Sequence, residues 1–229
     1  MIINGIEKLS LVDYDGVAAC ALFTGGCNFA CPFCHNSPLV YSQNLPVIDN
    51  EEIFEFLIKR KKVLNGVVIT GGEPTLNPDL PDFIAKIKAI GYKVKLDTNG
   101  TNPKMLSQLI EKELVDYVAM DIKNCKEKYA LTAGVKKIDL ASIDESIEII
   151  MHSEILYEFR TTLVKEFHEF SDMGEIAGWI NNARKYVLQK FTEHETCIKL
   201  GFHEIEKDTA QSYRDYLAKY ISQVSLRGY

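Results

Sequence analysis

The chain has 229 residues, 46% hydrophobic and 25% charged, which suits one globular domain over residues 1–229 with a full-sized core. Its formal charge is −6 and its pI about 5.5, with no basic block, and that balance argues against a nucleic-acid partner. No run approaches the roughly 20 apolar residues that span a bilayer, and Met1–Ser10 shows neither a long apolar stretch nor a cleavage-like site. The expectation is a cytoplasmic protein with no membrane partner and with reduced thiols.

The lead-in turn Leu11–Gly16 contains the turn dipeptide Asp15-Gly16, and Val17–Thr24 reads as a buried strand. Asp49 is placed to cap a helix running to about Lys62, with Glu51 and Glu52 in its first turn and basic residues in its last. Asn65–Thr70 is a second strand, followed by Gly71-Gly72-Glu73-Pro74-Thr75. Asn77 and Pro78 are expected to open a helix whose apolar face is Leu80, Phe83, Ile84, Ile87 and Ile90, closed by Gly91. Tyr92–Thr98 is a third strand. Met105, Leu106, Leu109 and Ile110 mark the next helix, and Val115–Lys123 is a fourth strand. Ile143, Ile147, Ile150 and Met151 have helical spacing, and Leu156–Leu163 is a fifth strand. Ser171 starts a helix carrying Ile176, Trp179 and Ile180, and Tyr186–Phe191 is the sixth strand. Tyr213, Tyr216, Leu217, Tyr220 and Ile221 give a final helical face. Six alternations of strand and helix predict an α/β fold of parallel strands with crossover helices. Six units fall short of a closed eight-unit barrel, so an open sheet is expected. Periodicity alone leaves an open partial barrel and a doubly wound sheet as alternatives.

In a parallel α/β protein ligands bind at the carboxyl ends of the strands. Cys27, Cys31 and Cys34 fall there as a C-x3-C-x2-C triplet after the first strand, and soft thiolates at this density suit one iron–sulfur centre. Three cysteines are one fewer than the usual complement of a four-iron cluster, which leaves one iron open to a small molecule. A zinc site with His35 as fourth ligand is less suited, because no second pair of ligands appears and His35 is bonded directly to Cys34. A disulfide framework is unnecessary in a chain of this length. Cys20, Cys125 and Cys197 are too scattered for a second cluster and read as structural, Cys20 as a small hydrophobe in a strand.

The later strands bring Gly71-Gly72-Glu73, then Asp97 and Thr98, then Asp121 and Lys123, then Arg160, to the same mouth. Glycines admit close backbone approach. The acids and Lys123 read either as ligand contacts or as salt bridges between strand ends. Arg160 reads either as an ion-pair residue or as a bidentate carboxylate ligand. Phe33 reads as a cluster shield or as core packing, and His194 as a solvated loop histidine.

The triplet resembles the signature of the radical S-adenosylmethionine (SAM) superfamily. The longer string Cys31-Pro32-Phe33-Cys34-His35-Asn36 resembles the glycyl-radical-enzyme activating proteins, which include the activases of pyruvate formate-lyase and of anaerobic ribonucleotide reductase. Asp97-Thr98-Asn99-Gly100 and Met120-Asp121-Ile122-Lys123 resemble two further strings of the first of these. The family's frequent proline before the lead-in glycine is replaced here by Asp15, and no inserted cysteine-rich region lies between Asn36 and Asn65.

The resemblance implies an open six-unit (β/α) partial TIM barrel with parallel strands. It implies a [4Fe–4S] cluster on Cys27, Cys31 and Cys34, and SAM bound among Phe33, Asn36, Gly71, Gly72, Glu73, Asp97, Thr98, Asp121, Lys123 and Arg160, with a monovalent cation near the acids in some members. It implies an enzyme that cleaves SAM reductively and takes a hydrogen atom from a glycine of a partner glycyl-radical enzyme, with an external one-electron donor such as flavodoxin or ferredoxin. The string Lys8-Leu9-Ser10-Leu11-Val12-Asp13-Tyr14 and the compact length look most like the activating proteins of anaerobic ribonucleoside-triphosphate reductase. A radical SAM enzyme acting on a small molecule, such as a deazapurine synthase, is the alternative of the same chemistry. An electron-transfer iron–sulfur protein or a zinc protein is the non-enzyme alternative.

Overall fold

A computed structural model describes residues 1–41 and 45–229. Its strands are β1 Ile3–Ser10, β2 Ala19–Thr24, β3 Gly66–Gly71, β4 Lys93–Thr98, β5 Tyr117–Asp121, β6 Leu156–Leu163, β7 Tyr186–Lys190 and β8 Val224–Arg227. They form one sheet in sequence order, with β1 antiparallel to β2 and every later neighbour pair parallel. The helices are α1 Ser37–Tyr41, α2 Asn50–Arg60, α3 Leu80–Ile90, α4 Pro103–Glu111, α5 Tyr129–Thr132, α6 Leu140–His152, α7 Phe170–Trp179 and α8 Lys207–Leu217. The fold is an open partial barrel, and β2 to β7 are the six expected parallel strands.

Two edge strands were not anticipated. In β1 only Ile3 and Ser10 are buried, so no alternating apolar pattern marks it. β8 is four half-buried residues, too short for any period to show. The helix after β3 starts later than expected: Asp79, not Asn77, is its N-cap, and Pro81 rather than Pro78 lies in its first turn. Asn77 instead closes a 3₁₀ turn at Pro74–Leu76, its side-chain amide donating to the Pro74 carbonyl at 3.0 Å. Asp49 does cap α2, accepting from the Glu51 amide at 2.6 Å. The last helix ends at Leu217, so Tyr220 and Ile221 lie beyond it, although Ile221 is still buried.

Strand alternation sorts the core into two layers. Cys20 and Leu22, Val67 and Ile69, and Val118 and Met120 face the helices and join the main core. Ala19, Ala21, Val68, Tyr117 and Ala119 face the concave side, where Tyr14 of the lead-in turn packs on Tyr117 at 5.7 Å between ring centroids. Asp15 helps hold this turn, its carboxylate accepting from Lys185 at 2.7 Å. The small inner residues leave the carboxyl-end half of the concave face free for polar groups.

Candidate active site

A cavity of about 560 Å³ opens at the carboxyl ends of the strands, within the usual range for a ligand pocket. Cys27, Cys31, Cys34, Phe33, Asn36, Gly71, Gly72, Glu73, Asp97, Thr98, Asp121, Lys123 and Arg160 all line it. The structure therefore brings together every residue singled out from the motifs.

The cluster loop is held from three sides. Glu73 donates its amide to the Gly26 carbonyl and Gly72 donates to the Thr24 carbonyl, both at 2.8 Å. A Cβ on Gly72 would lie 2.0 Å from the Gly26 oxygen, so the close approach that needs glycine here is to the cluster loop itself. From α5, the Ala133 carbonyl accepts from the Ala30 amide at 3.0 Å, and a Cβ on Gly134 would meet the Ala30 oxygen at 2.0 Å. From the segment after β7, Lys199 donates to the Pro32 carbonyl and Ile198 to the Cys34 carbonyl. Cys197 donates its thiol to the Phe33 carbonyl at 3.6 Å.

The three thiols are free. Burial pushes Cys27 up to about 12 and Cys31 up to about 11, and raises Cys34 as well, so without a metal they are neutral. Metal coordination is what deprotonates such thiols. Among the described residues no trio of donors closes round a single ion. A four-iron cluster places each thiolate on a different iron, which calls for three sulfurs around one wide opening. A loop with three free thiols lining one cavity fits that requirement.

Glu73 is fully buried and accepts four hydrogen bonds: from the Thr75 amide and hydroxyl, from the Thr98 hydroxyl at 2.8 Å, and from the Asn99 amide at 2.6 Å. Burial outweighs these donors and raises its carboxyl. Its side chain thus binds the β3 exit to the β4 exit. Asn99 extends the tie to the cluster loop, donating to the Asn28 side chain at 2.8 Å.

An alternating row of charges runs across the concave face. Lys95 contacts Asp97 at 2.9 Å, Arg160 lies 3.5 Å from Asp97 and 2.7 Å from Asp121, and Lys123 contacts the other Asp121 oxygen at 2.7 Å. Burial alone would raise the Asp121 carboxyl, but Arg160 and Lys123 hold it well below the usual carboxylate range. The same partners hold Lys123 and Arg160 firmly protonated against the cost of burial. His168, not anticipated, fixes the Lys123 carbonyl through Nε2 at 2.9 Å. Phe33 packs between Phe167 and Phe191 and also lines the cavity. His194 is exposed, as expected, with its ring 5.5 Å from that of His35.

The radical SAM superfamily model matches residues 21–169, more than half of the chain. The chain belongs to the radical SAM superfamily. It is an enzyme, and its cofactors are a [4Fe–4S] cluster and SAM. A Methanocaldococcus jannaschii protein, described as a candidate glycyl-radical enzyme activating enzyme, is 32% identical over 99% of this chain and 95% of its own length. A pyruvate formate-lyase-activating enzyme of Clostridium pasteurianum is 24% identical over 90% of this chain and 85% of its own. A GTP 3′,8-cyclase of Helicobacter pylori is 30% identical over 65% of this chain but only 47% of its own. Among solved structures, Streptococcus suis SuiB bound to SAM superposes with a TM-score of 0.68 at 14% identity, covering 91% of this chain and 52% of that one. A domain of a Bacteroides vulgatus pyruvate formate-lyase-activating enzyme superposes with a TM-score of 0.56 at 17% identity, covering 72% and 99%. Both likenesses show the fold.

Proposed function

We propose that this enzyme activates a glycyl-radical enzyme, abstracting a hydrogen atom from a glycine of that partner. The observation that carries the reading is the end-to-end match with the M. jannaschii protein, where the cyclase matches cover 47% to 71% of longer proteins. When bound, the cluster would supply the one electron that breaks a carbon–sulfur bond of the SAM sulfonium, with methionine leaving and the 5′-deoxyadenosyl group becoming able to take a hydrogen atom from the substrate.

In this reading Cys27, Cys31 and Cys34 hold three irons. Asn36, Gly71, Gly72 and Thr98 hydrogen-bond SAM, Asp97 and Asp121 face its ammonium, and Lys123 and Arg160 its carboxylate. Glu73 orders the loop that presents Thr98 and Asn99, and Phe33 keeps water from the cluster. Residues 1–229 act as one unit in the cytoplasm, with flavodoxin or ferredoxin as electron donor. The partner favoured by the Lys8–Tyr14 string is anaerobic ribonucleoside-triphosphate reductase; a pyruvate formate-lyase is the runner-up.

The test is anaerobic reconstitution, reduction and addition of SAM, with assay of 5′-deoxyadenosine and methionine, followed by electron paramagnetic resonance of each glycyl-radical enzyme of the source organism. A glycyl doublet on one of them is expected. SAM cleavage without a radical on any of them overturns the activase reading in favour of a small-molecule substrate, which the cyclase relatives support as the second candidate.

A further inference from the structure

Lys95 is a lysine in an unusual place. Its side chain is 4% exposed and faces the concave side of β4, one pleat below Asp97. The neighbouring inner positions are apolar, among them Ala119 and Tyr117. The buried carboxylate of that layer, Glu158, is already paired with Lys185 and Arg227, and burying a further cation is costly unless it is well paired. Its two partners lie in different parts of the molecule. Nζ donates to the Asp13 carbonyl of the lead-in turn at 2.6 Å, and it sits 2.9 Å from Oδ1 of Asp97. That oxygen is buried and receives no aligned hydrogen bond, so the charge of Lys95 alone restrains it.

The lead-in turn is an exposed element at one end of the cavity. Leu11 is 71% and Val12 75% exposed, and Val12 and Asp13 line the same cavity as the three cysteines. The turn is anchored behind its tip by Tyr14 on Tyr117 and by Asp15 on Lys185. Lys95 is the bridge from the tip to the charge row Asp97–Arg160–Asp121.

We propose that Lys95 is a positioning residue that couples the Leu11–Gly16 turn to Asp97, so that a ligand ordering Asp97 also orders the turn. The proposal rests on the reading above that SAM contacts Asp97. Coupling of this kind is reciprocal: whatever binds the turn tightens SAM by the same factor. In the activase reading, the group that reaches the turn is the partner's polypeptide, which must lie beside SAM to present its glycine. Docked substrate and bound SAM would then stabilise one another through a single buried side chain.

The test uses the reconstituted enzyme and SAM, with no partner needed. SAM affinity is measured by calorimetry, and amide hydrogen exchange of residues 11–16 is measured with and without saturating SAM. In the wild type, SAM is expected to slow exchange in the turn by about fivefold or more, the lower end of typical site-to-site couplings. Lys95→Met should retain its iron and bind SAM more weakly, and saturating SAM should no longer slow the turn. Asp97→Asn, which cuts the same link from the other side, should behave alike and covers the case in which Lys95→Met misfolds. Failure of the wild type to bind SAM would overturn the site reading itself. SAM binding with unchanged exchange at residues 11–16, or protection that survives in both variants, would overturn the coupling alone.

Discussion

Arg160 donates its Nε to Oδ1 of Asp121 at 2.7 Å, across adjacent strands where the two residues are register partners. Lys123 takes the other Asp121 oxygen, so one carboxylate balances two cations at the cavity wall. Replacing Asp121 by alanine removes the acid and leaves Lys123 without an acidic partner among the described residues. Breaking a buried pair from one side is strongly destabilising, and a cost of about 3 kcal/mol is expected. SAM affinity should fall, while iron content after reconstitution stays at the wild-type level. Chemical denaturation, calorimetry with SAM and iron analysis read the three effects separately.

The same carboxylate makes stability depend on acid. Arg160 and Lys123 depress the native Asp121 carboxyl below its unfolded value, about 3.9. Between the two values the unfolded chain binds the proton and the native state does not, so stability rises with pH there. The contribution is complete above the unfolded value and is lost as pH falls toward the depressed native one. Thermal midpoints measured from pH 7 to pH 3 should drop more steeply below about pH 4 in the wild type than in Asp121→Asn. Parallel curves would remove Asp121 from the acid response.

These charges separate what a sequence signals from what only the fold brings together. Each cavity-lining residue sits at a strand exit, and strand exits are marked by strong local signals: a buried apolar run, then glycine, cysteine or an acid. Pairings between exits carry no such signal. In the sequence Arg160 reads either as an ion-pair residue or as a carboxylate ligand, and only register places it against both Asp97 and Asp121. Glycines 71 and 72, read as admitting a ligand, both line the cavity, and the packing of Gly72 on the Gly26 backbone is a further contact that the sequence does not signal. Asn99 stood inside the Asp-Thr-Asn-Gly string and its tie to Asn28 could have been suspected, whereas His168 reaches the Lys123 carbonyl from 45 residues away. The edge strands escaped because β1 and β8 bury too little apolar surface to show a period.

Cys31 is the most buried of the three site thiols by exposure, and the loop has no spare sulfur in the triplet. Cys31→Ala is expected to lose the four-iron absorbance and SAM cleavage together. Cys125 is buried too but lies near Asp172 rather than in the cavity. Cys125→Ala should keep full iron and pay only a packing cost of about 1 kcal/mol. Iron per chain in the two variants decides the matter, and equal loading would remove Cys31 from the ligand set.

Gly134 tests whether the cluster loop depends on a segment that carries no motif. It adopts φ +69°, and a Cβ there would lie 2.0 Å from the Ala30 oxygen and 2.5 Å from its carbonyl carbon. Both the backbone conformation and the contact oppose any side chain, and the opposing atoms are backbone that cannot swing aside. Ala30 stands directly before Cys31 and is tied to this segment by its own amide. Gly134→Ala therefore has two outlets for the strain: local unfolding of the turn after α5, or displacement of the loop that carries the thiols. A loss of about 1–3 kcal/mol is expected from the strained conformation. Displacement predicts a second effect, a lower iron content at the end of reconstitution even where the protein is still folded by circular dichroism. Gly178→Ala is the control, since a Cβ there meets nothing within 4 Å. Full iron in a destabilised Gly134→Ala would mean that the segment supports the fold but does not set the position of Cys31.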